Sequence, residues 1–342
     1  MKEISILGID LAKSVFHVVG MDARGRIKLK RKLTRSEVAK FISSYPPLTV
    51  AMESCASSHY WGRLFLSYGH EVKLIAPQFV KPYVKSNKND LADAEAIAEA
   101  SSRPTMRLVS IKSIEQQDLQ SLHRVRARLV SSRTALVNEM RGLLSEYGIV
   151  LPQGRKKFVS DVPHRLAQEA ESLSVLAKEL FDRLYQELRG LEQEIKFYED
   201  KLSAICNAHP ECQRLLTSTG IGVMTATAFV SAVGDVSKFK NGRQLAAWLG
   251  LVPRQYTTGG KPRLGGISKR GDRYLRKLLV QGAMSVLRHA EGKLDARSIL
   301  AIKLRERLGT KKAAVAIANR TARTAWALLS KQEDYKLYPV AA

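Results

Sequence analysis

Gly8-Ile9-Asp10-Leu11-Ala12-Lys13 is a short polar break between two apolar runs. Ile4, Ile6 and Leu7 precede it, and Val15, Phe16, Val18 and Val19 follow it. Two such runs around a break predict a β-hairpin. Asp10 then stands near the end of a central strand, where a carboxylate is costly unless it is paired or holds a cation. The reading of the rest of the chain turns on whether other carboxylates converge on it.

Outward from that stretch, residues 1–32 read as three strands, at 3–9, 14–21 and 26–32, with Asp22 to Gly25 as a turn. Thr34 and Glu37 have capping-box spacing and open a helix that runs to Ser44. Pro46 and Pro47 stop it. Leu48 to Met52 is a short buried strand with Glu53 at its end, and a helix follows from Ser57 to Tyr68. Gly69 ends that helix, Val72 to Ala76 is the next strand, and a helix from Asp90 to Ala100 closes the region. The order β-β-β-α-β-α-β-α describes an α/β, ribonuclease-H-like sheet in which the first and fourth strands are central neighbours. Asp10 and Glu53 then end adjacent strands, and Asp90 and Asp93, three apart, share one helix face.

Four converging carboxylates repel one another and are tolerable chiefly when divalent cations neutralise them. Two Mg²⁺ ions about 3.5–4 Å apart are the usual device for cutting phosphodiesters. The plainer alternative is that each acid caps a helix or is solvated, and Asn89-Asp90 is a good N-cap. For Asp10 and Glu53, which end apolar strands, that alternative is weaker.

The 342 residues suffice for two or three domains. With 56 Lys+Arg against 32 Asp+Glu the formal charge is +24, which argues for a polyanionic partner, nucleic acid first. Cys55, Cys206 and Cys212 match no disulfide framework, so reduced thiols are expected. Cys206, His209 and Cys212 lie close in sequence but supply only three ligands, so zinc is not expected. No signal peptide and no membrane-spanning apolar run is evident, which predicts a soluble, cytoplasmic protein without a membrane partner.

Residues 105–150 are helical and basic, with Arg124, Arg126, Arg128, Arg133 and Arg141. They read as phosphate contacts or, more plainly, as a solvated face. Gln153 to Lys157 reads as a linker. From Asp161 to Lys201 the charge reverses, with ten acids against six bases. There Leu184, Leu188, Leu191, Ile195, Tyr198, Leu202 and Ile205 form a heptad seam, which Leu173, Leu176 and Leu180 extend through a stutter. The seam suits an intramolecular hairpin or an oligomer interface. Gly220-Ile221-Gly222 resembles the turn of a helix-hairpin-helix element, whose second helix offers free N–H groups to a phosphate. Residues 238–277 hold eleven Lys/Arg against one acid, Asp272. Arg254, Lys261, Arg263, Lys269, Arg270 and Arg273 there, with Arg124 and Arg128, are the candidate nucleic-acid contacts. Pro253 to Lys261 reads as an exposed Gly-rich loop carrying the hydroxyls of Thr257 and Thr258. Such a hydroxyl is either part of a plain phosphate grip or a nucleophile. Basic helices follow, and residues 331–342 read as a loose tail.

Gly8-Ile9-Asp10, Met52-Glu53-Ser54 and Asn87 to Ala94 resemble the amino-terminal domain of DEDD-type insertion-sequence transposases. Leu216 to Ala226, Leu249 to Pro253 and Gly266 to Arg276 resemble the carboxy-terminal domain of the same family, to which the Piv-type DNA invertases are related. The resemblance spans nearly the whole chain. It implies a RuvC-like domain over 1–152, a coiled-coil segment over 153–206 and a mainly α transposase domain over 207–342. It implies Mg²⁺ on Asp10, Glu53, Asp90 and Asp93, and a serine before a glycine as covalent nucleophile. Thr258 holds that position here; Ser268, at an expected helix start, is the fallback. It further implies a structured noncoding bridge RNA that pairs with DNA, a dimer or tetramer, and action at the nucleoid of a bacterial or archaeal cell. Three other functions compete. A hydrolytic junction nuclease would use the same acids without a nucleophile loop. A packaging protein would have no reason to cluster acids in a basic chain. An actin-like ATPase would need a second Gly-rich phosphate loop suitably placed after residue 100.

Overall fold

The computed structural model describes residues 4–85 and 89–336, which form two compact units, Met1–Glu115 and Gln116–Ala342. Asn87 and Lys88 of the motif above, and residues 337–342 of the expected tail, lie outside the described residues.

The first unit is a mixed sheet between helices. Its strands are β1 (Ile6–Asp10), β2 (Val15–Met21), β3 (Ile27–Thr34), β4 (Thr49–Glu53), β5 (Glu71–Ile75) and β6 (Leu108–Val109). Its helices are α1 (Arg35–Ser43), α2 (Ser58–Ser67), the single turn α3 (Pro77–Val80) and α4 (Asp90–Ser101). The strand order is β3-β2-β1-β4-β5-β6. β1 runs antiparallel to β2 and parallel to β4, which makes those two its neighbours, as the sequence predicts. α3 and β6 are additions, too short to leave a periodic signal. The expected capping box forms, with the Thr34 backbone N–H donating to Glu37 Oε2 at 2.8 Å.

Strand alternation assigns the faces. Leu7, Ile9, Val50 and Met52 are fully buried with Val38, Ile42, Trp61 and Phe65 of α1 and α2. Gly8 and Asp10 therefore face the opposite layer, where α4 lies. A Cβ at Gly8 would meet the carbonyl oxygen of Ala94 at 2.4 Å and Cβ of Ala98 at 2.7 Å. Glycine on the strand, facing alanines one turn apart on α4, sets how closely that helix can approach the sheet.

The second unit is mostly helical. It holds α5 (Ile114–Ser145, entering from the first unit), α6 (Arg155–Gln168), α7 (Val175–Ala208), α8 (Pro210–Leu216), α9 (Val223–Val233) and α10 (Gly242–Trp248). The strands β7 (Pro253–Thr258) and β8 (Lys261–Ile267) follow, then α11 (Arg273–Arg288), α12 (Ala296–Leu308) and α13 (Thr310–Lys331). The expected linker at 153–157 instead starts α6, whose first residue is Arg155. On α7, Phe181, Leu188, Ile195 and Leu202 are buried at seven-residue steps. Phe181 and Leu188 join one core with Leu136, Met140 and Leu144 of α5 and with Phe158 and Val162 of α6. This part of the seam packs within the chain. Leu173 precedes α7, and Leu176 and Leu180 are exposed. A second core joins α8 to α13 through Leu215, Phe229, Leu245, Leu279 and small residues of α13.

Candidate active site

Asp10 closes β1 and Glu53 closes β4, and the register Ile9↔Met52 puts the two carboxylates at adjacent strand ends. Asp90 and Asp93 occupy the first turn of α4. The helix is capped not by Asp90 but by Asn89, whose side chain accepts from the Leu91 N–H at 3.0 Å. That leaves Asp90 its carboxylate. Oxygens of Asp10, Asp90 and Asp93 all lie within 4.8 Å of one another. Among the described residues they are the one group of three or more His, Cys, Asp or Glu that converges in this way. Glu53 adjoins them. Burial, then the charges of Asp10 and Asp93, push its carboxyl above the usual range.

Charge pairing separates the acids of α4 into two sets. Glu95 meets Lys30 at 3.6 Å and Lys85 at 3.3 Å, and Glu99 meets Lys85 at 2.9 Å. Asp90 and Asp93 meet no lysine or arginine among the described residues. The side chain beside Asp90 is a histidine, His17, whose Nδ1 stands 3.6 Å from Asp90 Oδ2. His17 lies directly across from Asp10 in the β1–β2 register and its side chain is 14% exposed. Clustered carboxylates at an edge that leaves Asp90 60% exposed form an all-oxygen donor set open to a ligand. That is the donor chemistry of Mg²⁺, Mn²⁺ or Ca²⁺ rather than of a thiophilic metal. The sequence reading named all four acids and quoted Gly8 without its packing role, and it missed His17. Their signals were a histidine opposite Asp10 across the hairpin, and a glycine two residues before it facing the alanines of α4.

The expected Gly-rich loop at Pro253–Lys261 is a hairpin. Thr258 pairs with Lys261 across Gly259 and Gly260, whose φ values of +56° and +74° are those of a two-residue Gly-Gly turn. Every residue of β7 is exposed, so no hydrophobic alternation marked it in the sequence. Register partners share a face. Thr258 and Tyr256 therefore stand with Lys261 and Arg263, and Thr257 stands with Pro262. The Thr257 hydroxyl accepts from Gln255 Nε2 at 3.0 Å. The base of the hairpin is pinned. Ser268 N–H donates to the Val252 carbonyl at 2.8 Å and Lys269 N–H to that of Gly250 at 3.1 Å. A Cβ at Gly250 or Gly271 would meet the carbonyl of Arg270 or Trp248 at 2.1 or 1.9 Å, so only glycine lets these two segments cross.

Comparison with known proteins fits this pair of sites. The profile of DEDD-type IS110 transposases, described as "Transposase", matches residues 7–149. The profile described as "Transposase IS116/IS110/IS902 family" matches 212–298. The transposase for insertion sequence element IS1111A of Coxiella burnetii is 46% identical over 98% of this chain and 92% of its own. A probable family 20 transposase of Pseudomonas aeruginosa is 49% identical over 97% and 99%. The chain belongs to the IS110/IS116 family of insertion-sequence transposases. It is accordingly an enzyme, a DNA transposase, and DNA is its substrate. A more distant relative is the pilin gene-inverting protein of Moraxella bovis, 26% identical over 68% of this chain and 65% of its own.

In this transposase the eight candidate cations, Arg124 and Arg128 on α5, Arg254, Lys261 and Arg263 on the hairpin, Lys269 and Arg270 in the bend, and Arg273 on α11, are all exposed. Ser268 does not cap a helix. Asp272 caps α11, and the Ser268 hydroxyl is buried with no hydrogen-bond partner. Cys206 and Cys212 are buried free thiols that do not join His209 in a metal-binding group, and Cys212 is pushed up to about 12, chiefly by burial. No described helix is long and apolar enough to cross a membrane.

Proposed function

We propose that this transposase cuts and rejoins DNA at the ends of an insertion sequence, using a Mg²⁺ site on Asp10, Glu53, Asp90 and Asp93 and the Thr258 hydroxyl as nucleophile. The observation that carries the reading is the convergence of Asp10, Asp90 and Asp93 within 4.8 Å with Glu53 beside them. The strand order, with the acids on neighbouring central strands and on one helix facing them, supports a ribonuclease-H-like, RuvC-like assignment. When bound, divalent ions supply charge neutralisation and polarisation of the scissile phosphate.

The chain's own residues do the rest. Asp10 and Glu53 present carboxylates from rigid strand ends, and Gly8 admits α4 so that Asp90 and Asp93 reach the same place. Thr258 has register neighbours, Lys261 and Arg263, suited to hold a phosphate. Its Oγ1 attacks phosphorus, one P–O bond to the sugar breaks, and the departing sugar oxygen takes up a proton. A sugar hydroxyl of the joining strand reverses the step and frees Thr258, so no water or energy source is consumed. The engaged hydroxyl of Thr257 and the sealed hydroxyl of Ser268 favour Thr258.

The wider reading includes a noncoding bridge RNA that supplies sequence recognition, a homodimer or tetramer that assembles the sites, and action at the nucleoid in the cytoplasm. The +24 charge supports it, because a backbone-gripping protein needs no base contacts of its own. The division we propose for function is 1–152, 153–206 and 207–342. Asp10→Asn or Glu53→Gln should abolish strand cleavage while DNA binding persists. Cleavage at the wild-type rate by either variant would refute the metal site. Cut DNA without a protein–DNA bond would favour a hydrolytic nuclease.

A further inference from the structure

Along α5, Arg133, Thr134, Val137, Asn138 and Arg141 recur at alternating one- and three-residue steps and share a helix face. With Arg155 at the start of α6 they line a cavity of about 170 Å³. Three arginines thus line one recess in the second unit. Nε of Arg133 and Nε of Arg141 are sealed from solvent, and neither has a hydrogen-bond partner. Arg141 is held in place from behind. It donates to the carbonyls of Pro152 and Gly154 at 3.0 and 3.4 Å, and its guanidinium lies 4.9 Å from the Phe158 ring centre.

The charges around the recess do not balance. Arg155 pairs with Glu192, and Glu199 pairs with Arg126. Arg126, Arg133, Arg141 and Arg155 thus face two carboxylates. Burial and the repulsion of Arg155 pull Arg133 below the usual arginine range. Arg133 and Arg141 are half-buried rather than fully solvated, with Arg155 exposed beside them. The lining holds no aromatic side chain, which disfavours a base or another flat ring. A cavity of this size is roomy enough for one tetrahedral oxyanion with waters around it. Thr134 and Asn138 add polar groups to the wall.

We infer that the Arg133–Arg141–Arg155 recess is a binding site for a phosphate group, delivered by a nucleic-acid backbone or as the free ion. Only the preference for a backbone phosphate rests on the functional reading above.

The test uses the full-length protein, its Arg133→Gln and Asn138→Asp variants, and Arg189→Gln as an exposed charge-matched control on α7. Affinities for element-end duplex DNA and for co-purifying RNA are measured against salt, and melting temperature against inorganic phosphate. The site predicts that Arg133→Gln weakens binding of at least one polynucleotide about tenfold and lowers the salt slope by about one, with Arg189→Gln unchanged. Asn138→Asp discriminates further. An acid among three arginines should raise the melting temperature yet weaken phosphate binding, a pair of opposite signs that loss of structure cannot produce. If phosphate stabilises the wild type but not Arg133→Gln, and neither polynucleotide is affected, the site takes free phosphate. Variants equal to wild type with all three probes would overturn the inference. Asp10→Asn should leave every one of these affinities intact, so failure here and failure of the cleavage reading are separable.

Discussion

A methyl group at Gly8 would sit 2.4 Å from the Ala94 carbonyl, so Gly8→Ala must push α4 off the sheet or bend β1. The overpacking should cost about 1–3 kcal/mol. Because α4 brings Asp90 and Asp93, divalent-metal affinity should fall further than stability does, which calorimetric Mn²⁺ titration beside thermal melts will read. Glu53 makes the complementary case. Its raised carboxyl takes a proton more readily in the fold than in the unfolded chain. Stability of the metal-free protein should therefore rise as pH drops from above the raised value toward the ordinary glutamate range. Glu53→Gln should raise the metal-free melting temperature near neutrality and blunt the rise that the proposed site predicts for Mg²⁺ with the wild type. These acids were legible in the sequence because a carboxylate ending an apolar strand needs a reason. Gly8 was not, because its reason lies on a helix some 90 residues later.

At the scale of elements, the first-unit strands and helices other than α3 and β6 were legible from alternation, caps and breakers. The β7–β8 hairpin was not. Its residues face water on both sides, so the pattern that betrays a strand was missing, and two glycines read as a loop. The polar connection among α5, α9 and α11 was hidden as well. His123 on α5 is buried between Tyr274 and Thr227. The Thr227 hydroxyl donates to the Val223 carbonyl at 2.7 Å, so it accepts from His123 Nε2–H at 3.0 Å. His123 Nδ1 is left to accept from Tyr274 at 3.2 Å, and the ring is neutral. Burial, helped by Arg126 and opposed by Asp272, lowers its pKa from 6.5 to about 4. The unfolded chain binds this proton first, so stability holds above pH 6.5 and is lost as pH falls toward 4. The loss is on the order of 3 kcal/mol. Melting curves between those pH values should show it, and His123→Asn, which cannot titrate, should flatten the pH dependence.

At the scale of the whole molecule, charge was the most legible property and its use the least. The eight exposed candidate cations should act additively, each loss reducing the salt slope of DNA binding by about one. Arg133 and Arg141 look like the eight in sequence, yet they are half-buried where the eight are exposed. The heptad seam divides in the same way. Leu188, Ile195 and Leu202 are buried within the chain, whereas Leu176 and Leu180 are open. Periodicity names the stripe but not its occupant.

In the proposed function, the acidic site and a hairpin hydroxyl together transfer a phosphodiester. Covalent trapping tests it most directly. The full-length protein, with any RNA that accompanies it, is incubated with Mg²⁺ and element-end DNA, denatured, and the DNA-linked residue is mapped. The account predicts an adduct at Thr258, kept in Thr258→Ser and absent in Thr258→Ala and Asp10→Asn. DNA cut without an adduct, or an adduct at another residue that survives Thr258→Ala, would contradict it.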